Sequence, residues 1–108
     1  LDISGVPVAF AHGHQFRSGT NSQAKVEGWW KGQALGRTGV ADAQILCSGH
    51  FHHFVISEST GRTALQVPAM DGGSKWFVST TGQDAPAGMV SFVASDQTPR
   101  GWRDLLIL

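Results

Sequence analysis

All five histidines of the chain lie in two short clusters, and imidazole is a side chain that binds zinc, manganese and iron. His12 and His14 form the first cluster, whereas His50, His52 and His53 form the second. Each cluster directly follows an apolar run that is typical of a buried strand. Because the carboxyl ends of parallel strands meet at one edge of a sheet, distant residues can share a site there. The two clusters therefore predict one metal site.

The spacing within the second cluster predicts a pair of ligands. In extended backbone, residues two apart point to the same side, so His50 and His52 would project together while Phe51 turns back to the core. Gly49 before them allows a sharp bend or a close approach to a ligand. His12 occupies the corresponding place after the first strand. We therefore expect His12, His50 and His52 to be metal ligands.

The remaining histidines, His14 and His53, have several open roles. Each could contact a substrate, orient a ligand or face water, and His14 is the candidate for a catalytic role. Three histidines alone could complete a mononuclear zinc site that keeps a position for water.

A dinuclear site needs about twice as many ligands, normally with a bridging carboxylate. The sequence has no Asp or Glu within eight residues of His12 or within seven of His50. Asp42 precedes the second strand, at the end away from the histidines, and Asp71 follows a later strand. Neither is an evident bridge.

The apolar runs and turn signals predict one mixed α/β unit. Val6–Ala11 has the apolar character of a strand buried on both faces, and a helix capped by Asn21 or Ser22 is expected to end near Leu35. Further strands are expected over residues 43–47, 54–58, 63–67, 89–94 and 105–108, the second and third of these forming a hairpin. Residues 74–80 fit a short helix or a strand equally well.

Composition places the chain among ordinary globular domains. Its 108 residues, 41% hydrophobic and 15% charged, suit a single domain over residues 1–108. Eight basic residues balance eight acidic ones, so no overall field attracts nucleic acid or a membrane, and no apolar stretch is long enough to span one.

The lone Cys47, a small core residue, favours a reducing, cytoplasmic location. Because the chain begins at Leu1 and enters a strand at once, we expect part of a longer protein.

Taken in order, the two histidine motifs resemble the carboxy-terminal half of the calcineurin-like metallophosphoesterases. The motifs are His-Gly-His over residues 12–14 and Gly-His-x-His over residues 49–52, each after a strand. Residues 67–77 are similar to bacteriophage or bacterial members described as DNA-repair-exonuclease-like. The likeness covers nearly the whole chain.

The resemblance implies part of a four-layer α/β/β/α sandwich, with a mixed sheet and one or two helices. It implies a hydrolase that acts on phosphodiesters or phosphomonoesters, nucleases included. It also implies two divalent ions, manganese first, with iron, zinc or nickel as alternatives. Matched position by position, His12 and His50 ligate one ion and His52 ligates its neighbour. His14 and His53 match no family ligand.

The family's amino-terminal motifs do not occur in this sequence. Asp-x-His, Gly-Asp-x-x-Asp and Gly-Asn-His are all missing, and with them the bridging aspartate. The resemblance therefore implies two partners, a phosphoester substrate (nucleic acid among the candidates) and the amino-terminal half of the same domain. We expect the isolated chain to bind metal weakly, to lack efficient catalysis and to self-associate through an exposed apolar sheet edge or face.

Two alternatives stay open. The histidines could stabilise a binding or assembly module that has no catalysis of its own. Alternatively, three histidines could form a mononuclear zinc hydrolase.

Overall fold

A mixed sheet of five strands forms the centre of the molecule. The computed structural model describes residues 1–13, 21–36, 39–50, 53–59, 61–69 and 87–108. In chain order the strands of this sheet are β1 (Asp2–Ile3), β2 (Val6–Ala11), β3 (Ile45–Ser48), β4 (Val55–Ser59) and β5 (Arg62–Gln66). Across the sheet their order is β1-β2-β3-β5-β4, with β3 parallel to both β2 and β5.

Burial confirms that β3 is a buried strand but corrects the expectation for β2. Ile45 and Leu46 point to opposite faces and both are fully buried, so β3 is covered on both sides. In β2, by contrast, Pro7 and Phe10 are exposed. β2 lies next to the edge strand β1, and the layers on the two faces of the sheet bury less of β2 than of β3. The predicted hairpin of β4 and β5 is confirmed.

One helix, α1 (Ser22–Leu35), packs on the first face of the sheet. Asn21 caps it as predicted, because its Oδ1 accepts a hydrogen bond from the backbone N–H of Ala24 (2.8 Å). Val26 and Trp30 of α1 are buried, and they form an apolar core with three residues from the sheet side, namely Ala43, Leu46 and Ala64. The guanidinium of Arg62 on β5 lies 4.2 Å from the centre of the Trp30 ring and adds a cation–π contact.

A second sheet of two antiparallel strands, β6 (Val90–Ala94) and β7 (Trp102–Ile107), packs on the opposite face. Its core contains Val6, Val8, Ile45 and Leu65, with Phe92, Ala94, Trp102 and Leu105 packed against them. The indole N–H of Trp102 donates to the buried hydroxyl of Thr63 (2.9 Å), which ties the two sheets together. The predicted strand over residues 89–94 is thus confirmed, whereas β7 begins three residues before the predicted position of 105.

The layers follow the order helix, mixed sheet, second sheet. This is the predicted mixed α/β class, and α1 is the one α-helix among the described residues. A second helical layer is not part of the described chain, and the alternatives for residues 74–80 lie outside it too. None of the described helical residues forms a segment with the length and apolar character needed to traverse a bilayer.

Candidate metal centre

His12 and His50 lie side by side at one edge of the five-stranded sheet. His12 directly follows β2, and His50 lies two residues after β3. These strands pair in parallel with Ala11 opposite Ser48, so both carboxyl ends reach the same edge. The backbone N–H of Gly49 donates to the carbonyl oxygen of His12 (3.1 Å) and extends the pairing beyond the strands. The two ring centres are 5.2 Å apart, and the rings are tilted by 57°.

This separation of the rings fits joint binding of one metal ion. A metal–nitrogen bond of about 2.1 Å places the ion about 3 Å from each ring centre, and tetrahedral geometry then separates the two centres by roughly 5 Å. The separation in the structure is 5.2 Å. The pair therefore fits two ligands of a divalent metal.

The backbone at His50 corrects the expectation of an extended second cluster. His50 has a φ of 75°, in the left-handed region, and β3 has already ended at Ser48. His50 itself is therefore not in extended backbone, and the position of His52 relative to it lies outside the described residues. Left-handed backbone costs roughly 1–2 kcal/mol in a residue with a side chain, although histidine adopts it more often than most. Such strain is concentrated at functional sites.

Gly13 allows the first cluster to approach the second. Its φ is 112°, and a Cβ at this position would lie 2.9 Å from the carbonyl oxygen of Gly49 and 3.0 Å from the Cβ of His50. Because glycine has no side chain, the two turns can touch here. Gly13 is therefore part of the site without taking part in its chemistry. In the sequence, the position of Gly13 between His12 and His14 indicated this role, but the spacing of the histidines alone does not predict it.

The other histidines fall into two groups. His14 and His52 lie outside the described residues, so a catalytic role for His14 and a ligand role for His52 stay predictions. His53 is half-buried, and its carbonyl oxygen accepts a hydrogen bond from Nε2 of Gln66 (2.8 Å). Of the three predicted ligands, the described part of the chain thus brings two together, His12 and His50.

Carboxylates do not join the histidine pair in the described part of the chain. No group of three or more His, Cys, Asp or Glu side chains suited to a metal occurs there. Asp42 ends a short 3₁₀ helix (Gly39–Asp42) that precedes β3, so it lies at the end of the strand away from His50, as predicted. Asp71 lies outside the described residues. The described residues therefore supply two imidazoles and no bridge.

An apolar cavity of about 410 Å³ opens beside His12, between the two sheets. Apart from His12, Ala11, Ser48 and Gly49, its lining consists of Phe10, Cys47, Leu65, Val67, Val90 and Phe92. Burial raises the pKa of the Cys47 thiol from 9.0 to about 11. The thiol is therefore neutral near pH 7, and it contributes to the apolar wall rather than to the metal ligands.

Comparison with known proteins gives one solved structure and no sequence match. No family model matches the chain, and no curated protein matches it at the sequence level. A crystal structure of a Vps29 single mutant from Entamoeba histolytica is similar to it, with a TM-score of 0.65 and 16% identity. The chain has the metallophosphoesterase-like fold. The match covers 100% of this chain and 58% of the Vps29 chain, so the protein spans little more than half of its neighbour. At this identity the likeness shows the fold alone.

Proposed function

We propose that this chain supplies histidine ligands to the metal site of a metal-dependent phosphoesterase. The observation that carries this proposal is the His12–His50 pair, whose ring separation of 5.2 Å suits one shared ion. The pair lies at the carboxyl ends of parallel strands, the edge where α/β proteins bind their ligands. The metallophosphoesterase-like fold supports the reaction class.

Within this proposal His12 and His50 hold one divalent ion, and His52 binds a second ion beside it. Manganese is the first candidate, with iron, zinc and nickel after it. Two such ions supply Lewis-acid activation of a phosphoryl oxygen and of a water nucleophile. The substrate is a phosphomonoester or a phosphodiester, and a DNA-repair-exonuclease-like nuclease is the narrowest form of the proposal.

The proposed site needs groups beyond those that the described residues bring together. Two imidazoles without a carboxylate hold an ion loosely and leave most of its coordination positions to water. Since the chain spans 58% of the Vps29 structure, we propose that the amino-terminal half of such a domain supplies the remaining ligands. The chain alone should then bind metal weakly and hydrolyse phosphoesters slowly.

A second candidate function is a metal-stabilised binding or assembly module without catalysis. The observation that favours it is the small ligand set, because the described residues contain no group of three metal-binding side chains. In this alternative the ion fixes the turns after β2 and β3 against each other, and it activates no substrate.

Metal titration tests the ligand assignment. Isothermal calorimetry with manganese and with zinc should show binding to the wild-type chain. It should show at least about tenfold weaker binding to His12→Ala and His50→Asn, since each loses one of two ligands. Asparagine suits position 50 because it tolerates the left-handed backbone and so removes the imidazole with little added strain. His53→Ala is the matched control and should bind as the wild type does. Equal affinity in all four proteins would refute the assignment.

A hydrolysis assay separates the two candidate functions. Bis-p-nitrophenyl phosphate is incubated with manganese and either this chain or a complete product, meaning this chain together with the amino-terminal half that the proposal requires. The phosphoesterase proposal predicts turnover by the complete product that is abolished in His12→Ala. Metal binding without turnover in the complete product would favour the non-catalytic module.

A further inference from the structure

Two uncharged polar side chains are buried directly behind the second histidine cluster. Ser48 ends β3 and Gln66 ends β5, and the two are opposite each other in the parallel pairing. Their exposed fractions are 4% and 3%. Both face α1, because side chains alternate along a strand and Leu46 and Ala64, two residues earlier, pack on that helix.

The hydrogen bonds of these two side chains are incomplete. Nε2 of Gln66 donates to the carbonyl oxygen of His53 (2.8 Å) and so attaches β5 to the segment that follows His50. Within the described residues, however, Oε1 of Gln66 and Oγ of Ser48 have no hydrogen-bond partner. Buried polar atoms are nearly always satisfied, by protein or by ordered water, because leaving them unpaired is costly.

A small cavity is lined by both residues that carry the unsatisfied atoms. Its volume is about 10 Å³, close to the space that a single water molecule requires. Its polar lining comes from Ser48, Ser57 and Gln66, and its apolar lining from Val26, Val55 and Ala64. The hydroxyl of Ser57 donates to Oε1 of Glu27 (2.7 Å), so its oxygen can still accept a hydrogen bond.

We propose that this cavity binds one structural water and that Gln66 is a positioning residue for His53, the first described residue after His50. The water accepts from the hydroxyl of Ser48 and donates to Oε1 of Gln66 and to Oγ of Ser57. Three hydrogen bonds are the usual number for a buried water. With Oε1 held by the water, the amide nitrogen of Gln66 faces the carbonyl oxygen of His53.

The proposed bridge connects the sheet to the candidate metal centre. The side chain of Gln66 donates a hydrogen bond to the carbonyl oxygen of His53, three residues after His50. The backbone N–H of Gly49, one residue before His50, donates to the carbonyl oxygen of His12. The chain is thus hydrogen-bonded at Gly49 and at His53, on either side of His50. The link to metal binding rests on the proposed function, whereas the water site and the hydrogen bond from Gln66 to His53 do not.

A crystal structure of the metal-free chain at high resolution tests the water site. The expected result is one density peak in the cavity within hydrogen-bond distance of Ser48 Oγ and Gln66 Oε1. A dry cavity, or a direct bond from Ser48 to Gln66, would overturn the proposed water site.

Hydrogen exchange of the metal-free chain tests the positioning role. Gln66→Met keeps the length of the side chain but can neither donate to His53 nor accept from the water. The amides of Gly49 and Val67, which donate to the carbonyl oxygens of His12 and Ser48, should exchange about tenfold faster in this variant. Gln97→Met, at an exposed position, is the matched control and should exchange as the wild type does. Ser48→Ala, which keeps the bond to His53 and loses one bond to the water, should show a smaller change in the same amides.

Unchanged exchange in Gln66→Met would overturn the positioning role even if the chain binds manganese. Faster exchange in a chain that binds no manganese would instead confirm the positioning role and refute the proposed function. If Gln66→Met does not fold, the Ser48→Ala exchange pattern decides, and no change in it would overturn the proposal.

Discussion

At the scale of single residues, the burial of Cys47 in the wall of the apolar cavity makes the stability of the fold depend on pH. The thiol is half-buried, and burial raises its pKa from 9.0 to about 11 because the thiolate would lose hydration. The folded state therefore holds this proton more tightly than the unfolded chain does. Stability from this group is complete below pH 9.0 and is lost as the pH rises toward about 11.

Replacing Cys47 should flatten the loss of stability in alkali. Urea unfolding of the wild type should show a free energy of unfolding that falls between about pH 9 and 11, and Cys47→Ala should show a smaller fall over that range. Every other ionisable group is the same in both proteins, so the difference between the two isolates the thiol. Parallel pH profiles would show that this thiol is not shifted by burial.

Residue types in the sequence were sufficient to find the histidine pair, but not its geometry. His12 and His50 each follow an apolar strand, and that position alone predicted that they meet. The left-handed φ of His50 was not predictable, because histidine has no strong preference for it and glycine precedes it. Gln66 was also missed, since it lies inside a predicted strand with no motif of its own and its proposed role depends on the register with Ser48.

At the scale of elements, the contact between two turns is the feature on which the candidate site depends. The turn after β2 touches the turn after β3 at Gly13, where any side chain would meet Gly49 and His50. Gly61 offers a matched comparison, because its φ is also positive (71°) but an added Cβ would have no atom of the described residues within 4 Å. The two glycines therefore separate backbone strain from steric contact.

Alanine at these glycines should give a graded result. Gly61→Ala should lower the free energy of unfolding by about 1–2 kcal/mol, the cost of left-handed backbone. Gly13→Ala should lower it further and should also weaken manganese binding, because the added methyl group pushes His50 away. Chemical denaturation and calorimetry measure both effects. Equal losses of stability, or undiminished metal binding by Gly13→Ala, would contradict the role of this contact.

Elements with strong local signals were predictable, whereas those defined by tertiary contacts were not. The helix α1 has the expected bounds, since Asn21 caps it and Gly36 follows it. The strand β1 was missed because it is two residues long, although Ser4 and Gly5, both with positive φ, form a turn that the Ser-Gly dipeptide signals. The start of β7 was predicted too late because Arg103 and Asp104 interrupt the apolar pattern of the strand. The strand begins earlier, at Trp102, whose side chain donates a hydrogen bond to Thr63.

At the scale of the whole molecule, the second sheet leaves apolar side chains uncovered. It has only two strands, and such a pair depends on packing for its stability. Large apolar residues on or beside it are exposed, namely Met89, Val93, Leu106, Ile107 and Leu108. Exposed apolar surface of this kind is typical of an interface, and we predict that it drives self-association of the chain.

Charge on this surface should reduce self-association. In sedimentation equilibrium, the weight-average mass of the wild type should rise with protein concentration. The double variant Leu106→Lys/Leu108→Lys should remain monomeric, because two associated copies would have to bury lysines. Ile56→Lys, on the edge strand β4, is the control and should associate as the wild type does. A wild-type chain that stays monomeric at high concentration would exclude this association.

The proposed function depends above all on His12 and His50 binding one divalent ion together. Anomalous diffraction from crystals grown with manganese, measured on both sides of its absorption edge, locates such an ion without reference to activity. We expect a manganese peak about 2.2 Å from one ring nitrogen of His12 and at the same distance from one of His50. A peak that contacts only one of these rings, or a manganese ion bound elsewhere while this pair is without one, would contradict the shared site.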